Sequence, residues 1–338
     1  GWKSQRKEKR EQSLLEQGWT SLLEGRYTHA EKTLTRLSGQ SADKRRQVLA
    51  MLSAARAAHE IGEFARQDRL LKQAQEAAAS QAADVDLNTA VAAAAADLWL
   101  QQGKADQALG ALQVDHVQPM RHLHTMRLML RVYQQMNHHE KVLELARALR
   151  KKQALSTNEA DQLIELAAAA LIRGRSNVAA NHAAGNPVGT ATAVANTEAN
   201  WQSVWKNLKS EERLMPEVAL AGAMAFQAAG EYKDATKVLE SALGDGLVPV
   251  IKKEGGQSNE QPVRQYQVFN ARLLMAYARA EPEQVTVRLQ KAEQWLAKRK
   301  QVREQEVRQQ TPSSGLTGGL SVSDADLLTT LGSLCLAA

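Results

Sequence analysis

Histidines, one cysteine and a set of arginines are the residues of this 338-residue chain whose types could do chemistry. His122 and His124 stand two apart at an expected helix start. On a helix, positions i and i+2 point in different directions, so the pair is a poor metal chelate. His138 and His139 follow Asn137 in an expected turn, with no Cys or acidic partner at ligand spacing, and read as solvated turn residues. Cys335 falls on an expected packing position and reads as a buried structural thiol. The chain has no phosphate loop, no Gly-x-Ser-x-Gly, no paired-carboxylate signature and no Gly-rich dinucleotide fingerprint. The expectation is a protein that is not an enzyme, with no metal site and no resident cofactor.

The arginines carry a different chemistry. Arg56, His59 and Glu60, then Asp97 and Gln101, then Arg127, Arg131 and Gln134 fall on one expected inner face of a helical array. Arginine forks suit carboxylates because they offer paired donors. One reading is a face that captures a partner's extended segment or terminal carboxylate; the other is ordinary solvated helix charge. Both stay open at this point.

Those residues need elements to position them. Ala, Leu, Gln, Glu, Arg and Lys dominate the composition, and all favour helix. The organising stretch runs over 17–37. Leu22 and Leu23 end one helix, Gly25 breaks it, and Tyr27, Ala30, Leu34 and Leu37 begin an apolar stripe on a second. Gly18 would let the facing helix come close, and Gly25 would take a backbone conformation that side chains resist. The order Gly18, Gly25, Tyr27, Ala30 matches one tetratricopeptide (TPR) hairpin.

The scheme recurs. Further hairpins are expected at 44–61 with 64–79, at 86–102 with 105–112, and at 123–136 with 140–152. Gly62, Gly103 and Asn137 stand at the breaks, and Ala108 at a packing position. A helix is expected over 158–172. The run 174–196, rich in Gly, Asn, Ala and Thr, reads as a long surface loop. Helix resumes near 198. Pro216 opens another hairpin, with Gly222, Gly230, Tyr232 and Ala235 on the repeat positions. A connector over 244–261, a last pair over 262–280 and 283–307, and a loop over 311–319 follow. A final helix A over 323–336 carries Gly332. The expected fold is all-α, an α-solenoid of TPR-like hairpins in which each hairpin buries its apolar face only against its neighbours. The expected organisation is 1–174 as N-terminal repeats, 175–197 as a flexible insert and 198–338 as C-terminal repeats.

Charge narrows the partners. Lys and Arg number 43 against 37 Asp and Glu, a net +6, with the excess in 1–10 and 298–308. Nucleic-acid binding would need a denser basic patch with interleaved aromatics. One cysteine suits a reducing compartment. No apolar run reaches the roughly 18 residues of a membrane span. The basic run 1–12 reads either as a solvated helix start or as a juxtamembrane segment held by the positive-inside rule. The chain opens without Met and stops within a repeat, so more sequence is expected at both ends.

Trp201-Gln-Ser-Val-Trp205-Lys-Asn-Leu208, followed by Arg213 and Pro216-Glu-Val-Ala219, resembles the centre of the HemY proteins, and 327–336 resembles that family's last repeat. The basic start with Gly18 and Gly25 is similar to the family's segment just after its transmembrane hairpin. The resemblance spans nearly the whole chain and implies an inner-membrane TPR protein associated with protohaem synthesis. It implies two N-terminal membrane helices absent from this sequence, and a cytoplasmic side for this portion. It further implies a scaffold or adaptor that binds haem-biosynthesis enzymes. The alternative is a haem or porphyrin carrier, or a regulator of a haem-pathway enzyme. In the carrier reading, His59 would be the axial ligand and the arginines would hold the propionates. The 174–196 insert has no counterpart in the resemblance.

Overall fold

In the computed structural model the described residues are 2–81, 83–115, 117–183, 200–243, 276–277, 284–294 and 297. Among them there is helix and no strand. Gly332, Cys335, the connector and loop over 244–261 and 311–319, and most of the last expected pair lie outside the described residues. The chain divides into two compact units, Gly1–Thr157 and Asn158–Ala338.

Unit 1 is four successive hairpins. The helices are α1 (Trp2–Leu23) with α2 (Tyr27–Gln40), α3 (Lys44–Glu60) with α4 (Phe64–Ala79), α5 (Val85–Gln101) with α6 (Ala105–Leu112), and α7 (Leu123–Gln135) with α8 (His139–Lys151). The basic start is therefore helical from Trp2. A short 3-10 turn, Pro119–Arg121, leads into α7. Each helix packs on the next in sequence. The odd-numbered helices also touch one another, α1 on α3, α3 on α5 and α5 on α7. This is solenoid-like packing: one continuous layer of odd helices, backed by the even ones.

The turns explain the hairpins. Gly25, Gly62 and Gly103 have φ of 74°, 77° and 73°, and Asn137 has 56°. After each, the next N–H donates five residues back: Arg26 to Ser21, Glu63 to Ala58, Lys104 to Trp99 and His138 to Tyr133. That 6→1 bond satisfies a carbonyl the helix end would leave unpaired, and it needs a left-handed residue at the corner. Asp43 and Asp84 start α3 and α5, their side chains accepting from the N–H of Arg45 and of Leu87 at 3.0 Å each.

Small residues set the closeness. Ala30, Leu34 and Leu37 of α2 are fully buried, as are Ala54, Ala55, Ala57 and Ala58 of α3. A Cβ on Gly18 would stand 2.6 Å from Leu34, so this glycine is what lets α1 and α2 meet there. Ala108 is likewise fully buried.

Bonds between neighbouring hairpins join residues about one repeat apart. Arg66 Nε donates to Glu31 at 2.5 Å, 35 residues away, and Gln102 donates to Gln67 at 2.7 Å, again 35 away. Asp68 collects the Trp99 indole at 2.9 Å and the Lys104 ammonium at 3.0 Å. Burial raises the Asp68 carboxyl, but these two donors and Gln67 outweigh it and hold it below the ordinary value.

Unit 2 holds α9 (Thr157–Ala183), α10 (Trp201–Asn207), α11 (Ser210–Arg213), α12 (Pro216–Ala228) and α13 (Tyr232–Leu243). Here one expectation is corrected. The loop expected from 174 does not begin there, because α9 runs unbroken through Gly174 to Ala183. Ile172 is fully buried and Arg173 pairs with Glu217 of α12, so the helix is anchored up to the glycine. Ser176 then bonds the Arg173 carbonyl at 3.1 Å. One glycine costs a helix only about 1 kcal/mol relative to alanine, too little to end it. The compact units also divide before Asn158, earlier than 174. Residues 184–199 lie outside the described set.

Gly230, with φ 77°, turns α12 into α13 by the same bond, Glu231 N–H to Phe226. Tyr232 is half-exposed and Ala235 fully buried. Gly222 does not repeat the role of Gly18. Its neighbour is the Trp205 ring, 2.4 Å from where a Cβ would lie, so its close approach is to α10 and not to the partner helix of its own hairpin. Trp205 also stands edge-on to Phe226, and Arg213 sits over its ring.

Candidate partner-binding face

The odd-helix layer of unit 1 carries a row of polar side chains. Asp97 of α5 accepts from Arg131 of α7 at 3.1 Å, and its other oxygen lies 3.7 Å from Arg56 of α3. Gln101, one turn further along α5, donates to the same carboxylate at 3.0 Å. Four of the sequence-selected residues are thus brought together. Arg56 and Arg131 remain about half exposed, while Asp97 is three-quarters covered. Two half-exposed guanidinium groups around one carboxylate leave unspent N–H donors on the solvent side of the row.

Three other selected residues stand apart from the row. Arg127 donates to the carbonyl of Ala154, just past α8, and so closes a helix end. One of its guanidinium nitrogens is spent on main chain, and Arg127 takes no part in the Asp97 bonds. His59 meets Gln67 of α4 at 2.8 Å through Nδ1 and lies edge-on to Phe64, so it belongs to its own hairpin corner. Gln134 is exposed on α7, outside the bonds that knit the row.

The row has members that the sequence reading did not select. Trp19 of α1, 45% exposed, donates its indole N–H to Ser53 of α3 at 3.2 Å, and Ser53 lies one turn before Arg56. Trp19 and Ser53 are 34 residues apart, and so are Asp97 and Arg131. Matching registers separated by one repeat were the signal available in the sequence.

Ser21 Oγ lies 3.0 Å from His29 Nδ1 in a polar cleft between α1 and α2. Ser21 is only 1% exposed, so its hydroxyl orients His29 and does not face solvent. His122 precedes α7 with its ring 4.0 Å from Asp86 and makes no side-chain capping bond, and His138 leans on Tyr133. Among the described residues no group of three His, Cys, Asp or Glu side chains could hold a metal ion. Among them, too, no helix is long and apolar enough to cross a membrane.

Unit 2 has one electrostatic feature of its own. Glu165 of α9 accepts the N–H of Glu217 at 2.8 Å, capping the start of α12. Burial raises the Glu165 carboxyl above its ordinary value; the bond from Glu217 N–H opposes this, and the charges of Glu217 and Asp161 add to it. A carboxyl raised in the folded state costs stability when ionised. The cost is full above the folded pKa and is relieved as pH falls through it toward the unfolded value. Glu165→Gln is therefore expected to stabilise unit 2 at neutral pH, with the gain shrinking on acidification toward the ordinary glutamate range. Denaturant midpoints across that range read the trend; a pH-independent difference contradicts it.

Against known families, residues 1–62 match the model described as HemY protein N-terminus. Over those residues the chain is similar to the N-terminus of HemY proteins. The HemY match ends at Gly62, the corner after α3, and so covers the first hairpin, α3 and the Trp19–Ser53 bond. No curated protein and no solved structure matches the chain.

Proposed function

We propose that this chain is a non-enzymatic scaffold of haem (porphyrin) biosynthesis, working at the inner membrane from its cytoplasmic side. Its TPR-like hairpins hold partner proteins on the odd-helix face. The match of residues 1–62 to the HemY N-terminus supports the choice of pathway. The observation that carries the binding role is the row Arg56–Asp97–Arg131, in which two half-exposed arginines share one acid. An incoming carboxylate meets guanidinium N–H groups of which Arg131 is already held by Asp97 at 3.1 Å, which lowers the side-chain ordering that opposes binding. Acidic segments of haem-pathway enzymes are the partners this chemistry selects. The porphyrin-carrier alternative relies on His59, which sits at its own hairpin corner against Gln67 and Phe64 and apart from the arginine row, so the protein-binding reading is preferred.

The test is affinity capture from membranes with mass spectrometry, using the wild type and Arg56→Gln with Arg131→Gln. Loss of two charge-assisted contacts should reduce capture of specific partners by roughly tenfold or more, with helicity unchanged. Equal capture by the two forms would overturn the reading.

A further inference from the structure

We infer that the face reads two features of one extended partner segment: an acidic group at Arg56–Asp97–Arg131, and an aromatic side chain at Trp19. This rests on the reading above and adds to it a partner class and a spacing.

Trp19 is the start of the inference. Its indole is 45% exposed and presents a large apolar surface to solvent. Its N–H is spent on Ser53 at 3.2 Å, which fixes the ring against α3 with apolar surface still facing solvent. An aromatic ring held by its polar handle is a ready stacking platform, because its contact area is ordered before anything binds. Beyond Ser53 on the same helix stands Arg56, and from there the row continues through Asp97 to Arg131. The face therefore offers an exposed indole on α1 and half-exposed guanidinium groups on α3 and α7. A ligand complementary to it is amphipathic along its length, with an acid at one end and an aromatic at the other.

The spacing follows from the helices. Neighbouring helices pack roughly 8–10 Å apart, so Trp19 on α1 and Asp97 on α5 are separated by about two such steps. An extended peptide advances roughly 3.3–3.6 Å per residue. The aromatic residue then sits about five residues from the acid.

Fluorescein-labelled ten-residue Gly/Ser peptides ending in two glutamates test this by fluorescence anisotropy. One phenylalanine is placed at each position from two to eight residues before the acids. Affinity should peak at about five residues, and the peak peptide should bind roughly tenfold tighter than its Phe-free parent. Trp19→Ala should erase that gain and flatten the spacing dependence. Trp19→Phe should keep it, and the Phe-free parent should bind both variants as it binds the wild type. Equal affinity for Phe-containing and Phe-free peptides, or a Trp19→Ala protein that keeps the peak, overturns the inference and leaves the acidic reading standing. Arg56→Gln with Arg131→Gln should lose every peptide; undiminished binding there, or no peptide bound by the wild type, overturns both.

Discussion

Gly222→Val is expected to destabilise unit 2 by about 1–3 kcal/mol, the range for forcing extra methyl groups into a packed core. A Cβ at Gly222 would lie 2.4 Å from one Trp205 ring carbon and 2.8 Å from a second. The ring has little room to yield. Phe226 stands edge-on to it at 5.8 Å and to Trp201 at 4.8 Å, and Arg213 covers it while bonding the Trp205 carbonyl at 3.0 Å. Moving Trp205 disturbs the whole corner of α10, α11 and α12. Gly174→Ala is the matched control. It lies inside α9 with nothing within 4 Å of its would-be Cβ, so alanine should add up to about 1 kcal/mol of stability through helix propensity. Chemical denaturation followed by tryptophan fluorescence checks both. Opposite signs for the two glycines are the expected result; a neutral Gly222→Val would mean that Trp205 does not rest on α12.

These two glycines also show what a sequence reveals. Corner glycines were legible because a left-handed residue between two apolar stripes has few alternatives, and Gly25, Gly62, Gly103 and Gly230 all adopt that conformation. Gly174 was misread because composition alone marks it as a breaker. The features that carry the helix past it, buried Ile172 and the Arg173–Glu217 pair, involve a residue far along the chain. Gly222 was placed by analogy with Gly18, but its neighbour comes from a preceding helix, which repeat spacing does not encode. The face was legible in outline. Arg56, Asp97, Gln101 and Arg131 converge because repeat register fixes which positions meet. Arg127 lies one turn before Arg131 and bonds a backbone carbonyl at Ala154, and main-chain acceptors leave no side-chain pattern to read. Trp19 was passed over because an apolar residue near a helix corner reads as core, and only its exposure sets it apart.

The second large effect concerns which side of the stack meets partners. Gln101 lies in the polar row beside Asp97, whereas Lys72 is exposed on α4, in the even layer behind it. A photo-reactive benzophenone amino acid at either position leaves Arg56, Asp97 and Arg131 in place, and so reports proximity without removing the chemistry. If partners dock through the row, the reactive group at position 101 falls inside the contact and the group at position 72 stays outside it. The contrast should be close to all-or-none, because such cross-linking requires near contact.

In-cell photo-cross-linking of the full chain carrying the probe at Gln101 or at Lys72 is the most direct measurement of the account. The expected result is discrete protein adducts from position 101 that disappear when Arg56→Gln and Arg131→Gln are added, and none from position 72. Adducts from position 72 alone, or from position 101 unchanged by the arginine substitutions, would contradict it.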